Sequence, residues 1–529
     1  MIDPNVVDSD CCRGSLDKKR VYTSKFNELF LSDDVPKNIT VFDTTLRDGE
    51  QTPGVALTCD DKVRIAKALD ELGVNVIEVG FPASSQGEKD AAKAVMNLGL
   101  NSKVCGLARS VKSDIDAVAD CGLNYVHTFI ATSDSHLKYK LKMTQDEVLE
   151  RAVTAVEYAK SRGLEVEFSC EDATRTSLEF LKKMHIAVQE AGVNRINVPD
   201  TVGTISPTAM EYLIRELKTV TKVPISIHCH DDFGMAVANT LSAVRGGAEQ
   251  IHATINGMGE RAGNASLEEA VLALMAFYNV ETTINTKMIG PTCKLVSRLF
   301  GYPIPANKAI VGKNAFAHES GIHVHGVLND PSTYEAFGPE LVGVERNIVL
   351  GKHSGTHSIK EKLNEYGIML DDDRIAQVVD KIKELADSGK EIDDAELVAL
   401  ASHFAEQHES KHINLDEFAV FTGIKTTPTA VVTLDINGEK KTGTSIGIGP
   451  VDAAINAIKT VMGNVFRLEE YCLNAITGGS DSLCEVMVKI SKDGKGKAVS
   501  VGKGVGSDIV QTSVDATMEA LDRLYSRLE

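Results

Sequence analysis

The sequence predicts a closed parallel (β/α)8 TIM barrel, followed by a helical connector and a C-terminal α+β module, and three observations carry that expectation. Short β-rich runs alternate eight times with amphipathic helical stretches from residue 39 onward. Polar and charged residues crowd the C-terminal ends of those runs, the face on which such a barrel builds its chemistry. Beyond about residue 414 the order becomes strand, turn, strand, Gly-rich loop, helix, and it occurs twice.

The eight runs are ITVFDTT (39–45), VNVIEVGF (74–81), SKVCGLA (102–108), YVHTFIA (125–131), EVEFSCE (165–171), RINVPDT (195–201), PISIHCH (224–230) and EQIHATI (249–255). Between them, DDKVRIAKALDELG opens on a capping Asp and closes on Gly73, and TQDEVLERAVTAVEYAKSRG closes on Gly163. These are residue types that start and stop helices. Eight strand–helix units in roughly 250 residues fit a barrel. An open doubly wound sheet is the alternative, but no GxGxxG follows the first run.

The remaining chain completes a four-part division. Residues 1–37 are polar and mixed in charge, lack the apolar core of a secretory signal, and read as a mobile extension. The barrel takes 38–299. Residues 300–413 form a mainly helical connector around the Gly/His-rich AFAHESGIHVHG, and 414–529 hold the repeated module.

Composition excludes several partners. A chain of 529 residues with formal charge −19 is a poor match for nucleic acid or an anionic membrane, although a local basic pocket for an anionic substrate is compatible with it. No run approaches the length of a membrane span. Ten scattered cysteines with no CxxC pair suit a reducing cytoplasm.

Within FDTTLRDGEQTPG (42–54), Arg47, Asp48 and Glu50 cluster where the first strand should turn. A solvated turn would explain them, but the barrel places them at its mouth. In HCHDD (228–232), His228 and His230 stand two apart at a strand end, so alternation sends both imidazoles to one side and Cys229 to the other. Two imidazoles beside a carboxylate make a metal site of nitrogen and oxygen ligands. In a closed barrel Asp48 of strand 1 can reach the same point; two hydrogen-bonded histidines are the structural alternative. NGMGERAGNASLEEA follows the eighth run and sets glycines and Asn264 before a helix that starts near Ser266. It can act as a helix-capping loop, or supply an amide to the metal and N–H groups to an anion.

Together FDTTLRDGEQTPG, EVGFPASS, HTFIATSDSHLKYKL, FSCEDATR, HCHDDFGMAVANTLSAV and NGMGERAGNASLEE resemble the acyl-CoA-dependent family of 2-isopropylmalate, citramalate and homocitrate synthases. The likeness runs from 38 to 529, and its last part resembles the leucine-sensing regulatory domain of isopropylmalate synthases. It implies condensation of acetyl-CoA with a 2-keto acid. It also implies a divalent cation (Mn, Mg or Zn) held by Asp48, His228 and His230 with Asn264 close by. By the same resemblance Arg47 binds the substrate carboxylate, Thr201 hydrogen-bonds it and Glu171 sits near the reacting centre. The resemblance further implies that His323 in ESGIHVHG is the base and Tyr334 in STYEAFGPE its companion, delivered from the partner subunit of a homodimer, with leucine as the inhibitor; surface histidines are the structural alternative.

VGFPASS and HTFIATS favour 2-ketoisovalerate as the acceptor. LKYKL, EDATR and LGKHSG are shared with citramalate synthases, which keeps pyruvate as the rival. The appended module argues against homocitrate synthase. A hydroxymethylglutaryl-CoA lyase would carry a cysteine in the loop after strand 8, where this chain has GMGERAGN. A leucine sensor on an inactive barrel would lack some of the residues found.

Overall fold

The computed structural model describes residues 21–30, 35–318, 323, 326–327, 329–348, 355–366, 368–387, 397–398, 400–401, 412–475, 484–492 and 499–525. Much of the N-terminal extension, part of the AFAHESGIHVHG connector and most of LGKHSG lie outside these residues.

Eight parallel strands close on themselves in chain order: β1 Thr40–Asp43, β2 Val76–Glu78, β3 Lys103–Arg109, β4 Tyr125–Ala131, β5 Glu165–Glu171, β6 Arg195–Asp200, β7 Ile225–Cys229 and β8 Gln250–Ala253. Closure runs through β1 and β8, with Thr40 opposite Gln250 and Asp43 opposite Ala253. The open doubly wound sheet is thereby excluded. Each strand falls within or next to its expected run.

The helices are set by their ends. The first, Cys59–Leu72, is capped by Thr58 rather than by the expected Asp. Thr58 Oγ1 accepts from the Asp61 N–H at 3.2 Å, and the Asp61 carboxylate accepts in return from the Thr58 N–H at 3.0 Å. This reciprocal pairing satisfies two N–H groups that the helix cannot. Gly73 ends the helix in the left-handed region at φ 92, and an added Cβ there would meet the Thr283 carbonyl. Apolar faces such as Ile65, Leu69 and Leu72 are fully buried against the strands.

The barrel interior is more polar than its outer layer. Glu167 on β5, fully buried, accepts from Tyr125 Oη at 2.7 Å, Ser226 Oγ at 2.5 Å and Gln250 Nε2 at 2.9 Å, and meets His252 Nε2 at 2.7 Å. Burial alone would push its carboxyl up, but His252, His127 and Arg195 hold it well below the usual carboxylate range.

The chain divides into two compact units: the described parts of 1–316 with 335–346, and those of 317–334 with 347–529. The second contains helices Thr356–Glu365 and Asp372–Asp387 and two three-stranded antiparallel sheets. Strands Ile413–Gly423, Thr426–Ile436 and Glu439–Ile446 precede helix Pro450–Met462. Strands Phe466–Ala475, Cys484–Lys492 and Val499–Gly506 precede helix Ile509–Tyr525. The repeat is therefore three strands and a helix, one strand more than the sequence pattern indicates. The first strand of the first repeat was illegible because most of its side chains are exposed, which erases the apolar alternation that betrays a half-buried strand.

Candidate active site

At the end of β1 the backbone turns tightly: the N–H groups of Arg47, Asp48 and Gly49 all approach the Thr44 carbonyl, at 2.8 to 3.1 Å. The turn sets Arg47 and Asp48 at the barrel mouth. Arg47 Nε donates to Glu78 Oε2 at 2.6 Å, and Nη1 donates to Asp48 Oδ2 at 2.9 Å. That uses two of the five guanidinium N–H donors, and Arg47 lines the cavity at the mouth. Burial raises the Asp48 carboxyl, yet Arg47 and His228 overcome it and hold the group well below the usual carboxylate range.

Both histidines of HCHDD converge on that carboxylate. His228 Nε2 lies 3.3 Å and His230 Nε2 3.8 Å from Asp48 Oδ2, and the two Nε2 atoms are 3.2 Å apart. Burial lowers both imidazoles, His230 to about 4 with His228 adding to the effect. Neutral imidazoles keep a lone pair for a cation. An anionic oxygen and two such nitrogens within 4.8 Å of one another could hold a metal ion, and they match the ligand chemistry of a divalent transition metal.

Asn264 approaches the same point. His230 pairs with it in a β-bridge, and Gly259 lies against both its side chain and Asp48, with no room for a Cβ on the Asn264 side. Asn264 Nδ2 donates to the Met258 carbonyl at 3.1 Å. Asp48 Oδ1, His230 Nδ1 and Asn264 Oδ1 are buried with no hydrogen-bond partner. Such atoms cost free energy, and a coordinated cation would account for both orphaned oxygens.

Arg47, Asp48, Glu171, Thr201, His228 and His230 line one cavity of about 300 Å³. Thr201 Oγ1 accepts from the Asp172 N–H at 2.9 Å, and Glu171 pairs with Lys140 Nζ at 2.5 Å. His323 and Tyr334 belong to the second compact unit, where both are exposed and their ring centroids are 4.2 Å apart.

Glu78 is legible in the sequence as a polar strand end, but the row of polar residues it joins, His127, Ser169 and Asn197, is not. Glu78 Oε1 meets His127 Nδ1 at 2.6 Å, His127 Nε2 meets Ser169 Oγ at 2.7 Å, and Asn197 Nδ2 donates to the same hydroxyl at 2.7 Å. The signal was available: His127 and Ser169 interrupt apolar runs in YVHTFIA and EVEFSCE. Burial pushes Glu78 up, but Arg47 and His127 hold it at about 2. It is thus an anion that fixes Arg47. Leu107, Phe129 and Pro199 give the cavity an apolar wall.

A closed parallel barrel with an Asp–His–His cluster at its mouth has the architecture of a barrel enzyme whose strand-end residues could hold a metal ion. A family model described as HMGL-like matches residues 38–296, one described as homocitrate synthase post-HMGL domain-like matches 310–390, and one described as LeuA allosteric (dimerisation) domain matches 391–525. The chain is 50% identical to 2-isopropylmalate synthase of Methanocaldococcus jannaschii, over 94% of this chain and 96% of that protein. It is 51% identical to the probable 2-isopropylmalate synthase of Methanopyrus kandleri, over 93% and 99%. With (R)-citramalate synthase of M. jannaschii it shares 48%, over 92% and 100%. The chain belongs to the 2-isopropylmalate and citramalate synthase family. It is an enzyme, an acyltransferase of the HMGL-like group, and condensation of acetyl-CoA with a 2-keto acid is the chemistry that fits that family.

Proposed function

We propose that the protein condenses acetyl-CoA with 2-ketoisovalerate and water to give 2-isopropylmalate and CoA, the committed step toward leucine. The apolar wall of Leu107, Phe129 and Pro199 beside Arg47 carries this reading, because it suits a branched alkyl group whose carboxylate is held by a guanidinium fork.

In this reading Asp48, His228 and His230, with Asn264 close by, hold a divalent cation, which when bound supplies Lewis-acid polarisation of the keto carbonyl. Arg47, braced by Glu78, binds the carboxylate with its remaining N–H donors, and Thr201 adds a hydrogen bond. Glu171 stands near the reacting carbon. His323, with Tyr334 beside it, removes a proton from the acetyl methyl group, and the resulting carbanion equivalent attacks the keto carbon. Water then cleaves the thioester and releases CoA. His323 reaches the barrel of a partner subunit in a homodimer, an arrangement supported by the match to a dimerisation domain over 391–525. The working parts are a catalytic barrel (38–299), a connector (300–413) and a regulatory domain (414–529) that binds leucine, in a cytoplasmic enzyme. Among the described residues no helix is long and apolar enough to cross a membrane.

The second reading is citramalate synthesis from pyruvate, favoured by 48% identity to a citramalate synthase over nearly the same span. CoA release measured with 2-ketoisovalerate, pyruvate and 2-ketoglutarate separates them. A pocket shaped for two additional methyl groups gains about 1–3 kcal/mol per carbon, so kcat/KM for 2-ketoisovalerate should exceed that for pyruvate by at least about tenfold. Equal or better turnover of pyruvate assigns the chain to citramalate synthesis.

A further inference from the structure

A segment to which the reading above gives no role lies on the rim of the catalytic cavity. After β4, residues Leu137–Leu141 (LKYKL) form one turn of π-helix, a rare conformation found disproportionately at functional sites. Leu137 is buried and Leu141 packs on the barrel core, so the apolar ends anchor the turn. Lys138, Tyr139, Lys140 and Lys142 are exposed.

The turn is held in place on both sides. The Leu137 N–H donates to the Ser133 carbonyl at 2.8 Å, and the Met143 N–H returns to the Leu137 carbonyl at 3.2 Å. Lys142 adopts the left-handed region at φ 55, and Thr144 caps the next helix. Tyr139 is 71% exposed, with Lys138 Nζ 5.0 Å from its ring centroid. Lys140 pairs with Glu171 and lines the cavity. Lys138 and Lys142 have no carboxylate partner among the described residues. In a chain of net charge −19, Lys138 and Lys142 are two uncompensated cations flanking the cavity-lining Lys140, a local field of opposite sign.

We propose that this turn docks the nucleotide end of acetyl-CoA, with Lys138 and Lys142 on its phosphates and Tyr139 stacked on its adenine. The proposal rests on the acetyl-CoA reading above and names where that donor is gripped. The keto acid carboxylate is matched inside the cavity by Arg47, so a second set of cations outside it serves a different anion. The donor must bring its thioester inward while its phosphates, strongly hydrated anions, stay at the rim. Ammonium groups on phosphate make charge-assisted hydrogen bonds, and an exposed aromatic ring offers a face to a base.

The test uses the full chain and CoA itself as the probe. CoA is titrated calorimetrically into the parent protein and into K138A/Y139A/K142A, which leaves Lys140 and its Glu171 partner intact. Loss of one base stack and two phosphate contacts should weaken CoA binding by about tenfold or more, and should raise the KM for acetyl-CoA by a similar factor. The kcat at saturating acetyl-CoA and the KM for the keto acid should stay unchanged, and circular dichroism should confirm the fold. The salt dependence of CoA binding should also flatten. A parent that binds CoA and a triple variant that binds it equally well would overturn the dock. A parent that binds no CoA would instead overturn the acetyl-CoA reading, and the dock with it.

Discussion

The barrel and the C-terminal repeat bury their chain by different rules. The barrel closes on itself and holds polar side chains at its centre, where Glu167 has four partners. The repeat has an apolar core of residues such as Val432, Leu434, Ile458, Val488 and Leu521, and leaves Phe421, Ile424, Ile446 and Ile448 exposed, the last by 98%. A closed sheet has no edges and tolerates polar groups inside only when they are paired. Thr44, Asn197 and His252 each leave one atom unpaired, but only at the mouth do three such atoms, on Asp48, His230 and Asn264, meet in a cluster of ligand-type groups. Open sheets with exposed apolar residues mark association, in keeping with the match to a dimerisation domain.

The largest effect is expected at the Asp48, His228 and His230 cluster. If Asp48 and His228 serve a cation and not the fold, Asp48→Ala or His228→Ala should reduce turnover by about 10³-fold or more, remove bound metal and leave circular dichroism unchanged. Full activity with normal metal content in either variant would return these residues to structural duty.

Next in size is the effect expected if His323 is the base. His323→Ala should lower kcat by roughly 10²–10⁴-fold, the usual worth of a general base, while leaving the KM for the keto acid nearly unchanged. Mixing His323→Ala chains with Asp48→Ala chains should restore part of the activity if the base is supplied in trans. Proven subunit exchange without complementation would confine each base to its own barrel.

A third effect tests the cost of polarity inside the closed sheet. Asp43 is fully buried, and burial, with Glu78 and Glu268 adding repulsion, raises its carboxyl from 3.8 to about 7 against the opposing hydrogen bonds from Thr45. Between those values the folded chain binds more protons than the unfolded one, so this group makes stability fall as pH rises from about 4 to about 7. Each pKa unit is worth about 1.36 kcal/mol, which makes the loss about 4 kcal/mol. Asp43→Asn should flatten that slope in urea denaturation followed by circular dichroism. An unchanged slope would mean that Asp43 ionises normally in the fold.

How much could be read in advance follows the same division. The barrel strands were legible because both faces are buried, so each reads as a dense apolar run bounded by helix stops. The ligand set was legible because His228 and His230 share a strand end and parity puts them together. His127, Ser169 and Asn197 were not, since a single polar residue inside an apolar run has no partner in the sequence; only closure of β4, β5 and β6 brings them into one row. The first strand of the repeat's first half failed for the converse reason, its exposed side chains carrying little pattern. The cap on Cys59–Leu72 went to Thr58 because an Asp at the third helical position can bond back to it, whereas an Asp inside the first turn cannot cap itself.

The smallest expected effect concerns the repeat alone. Its first helix, Pro450–Met462, begins at a cavity lined by Ile448, Val451, Asp452, Ile455, Leu468 and Tyr471. Apolar side chains beside helix N–H groups suit an amino acid with a branched side chain and a carboxylate. If leucine binds here and favours a less competent state, the coupling should be about 1–3 kcal/mol, seen as a 5- to 150-fold change in apparent affinity. Gly447 is a poor position for a blocking residue, because a Cβ there would meet the Ala453 nitrogen at 2.3 Å and disrupt the helix start itself. Val451 is half-buried at the cavity wall, so Val451→Trp should fill the space and leave the strands in register. Turnover without leucine should match the parent, while inhibition by leucine should disappear. Inhibition that persists undiminished in Val451→Trp would place the sensor elsewhere, and would leave the exposed apolar residues of the repeat to association alone.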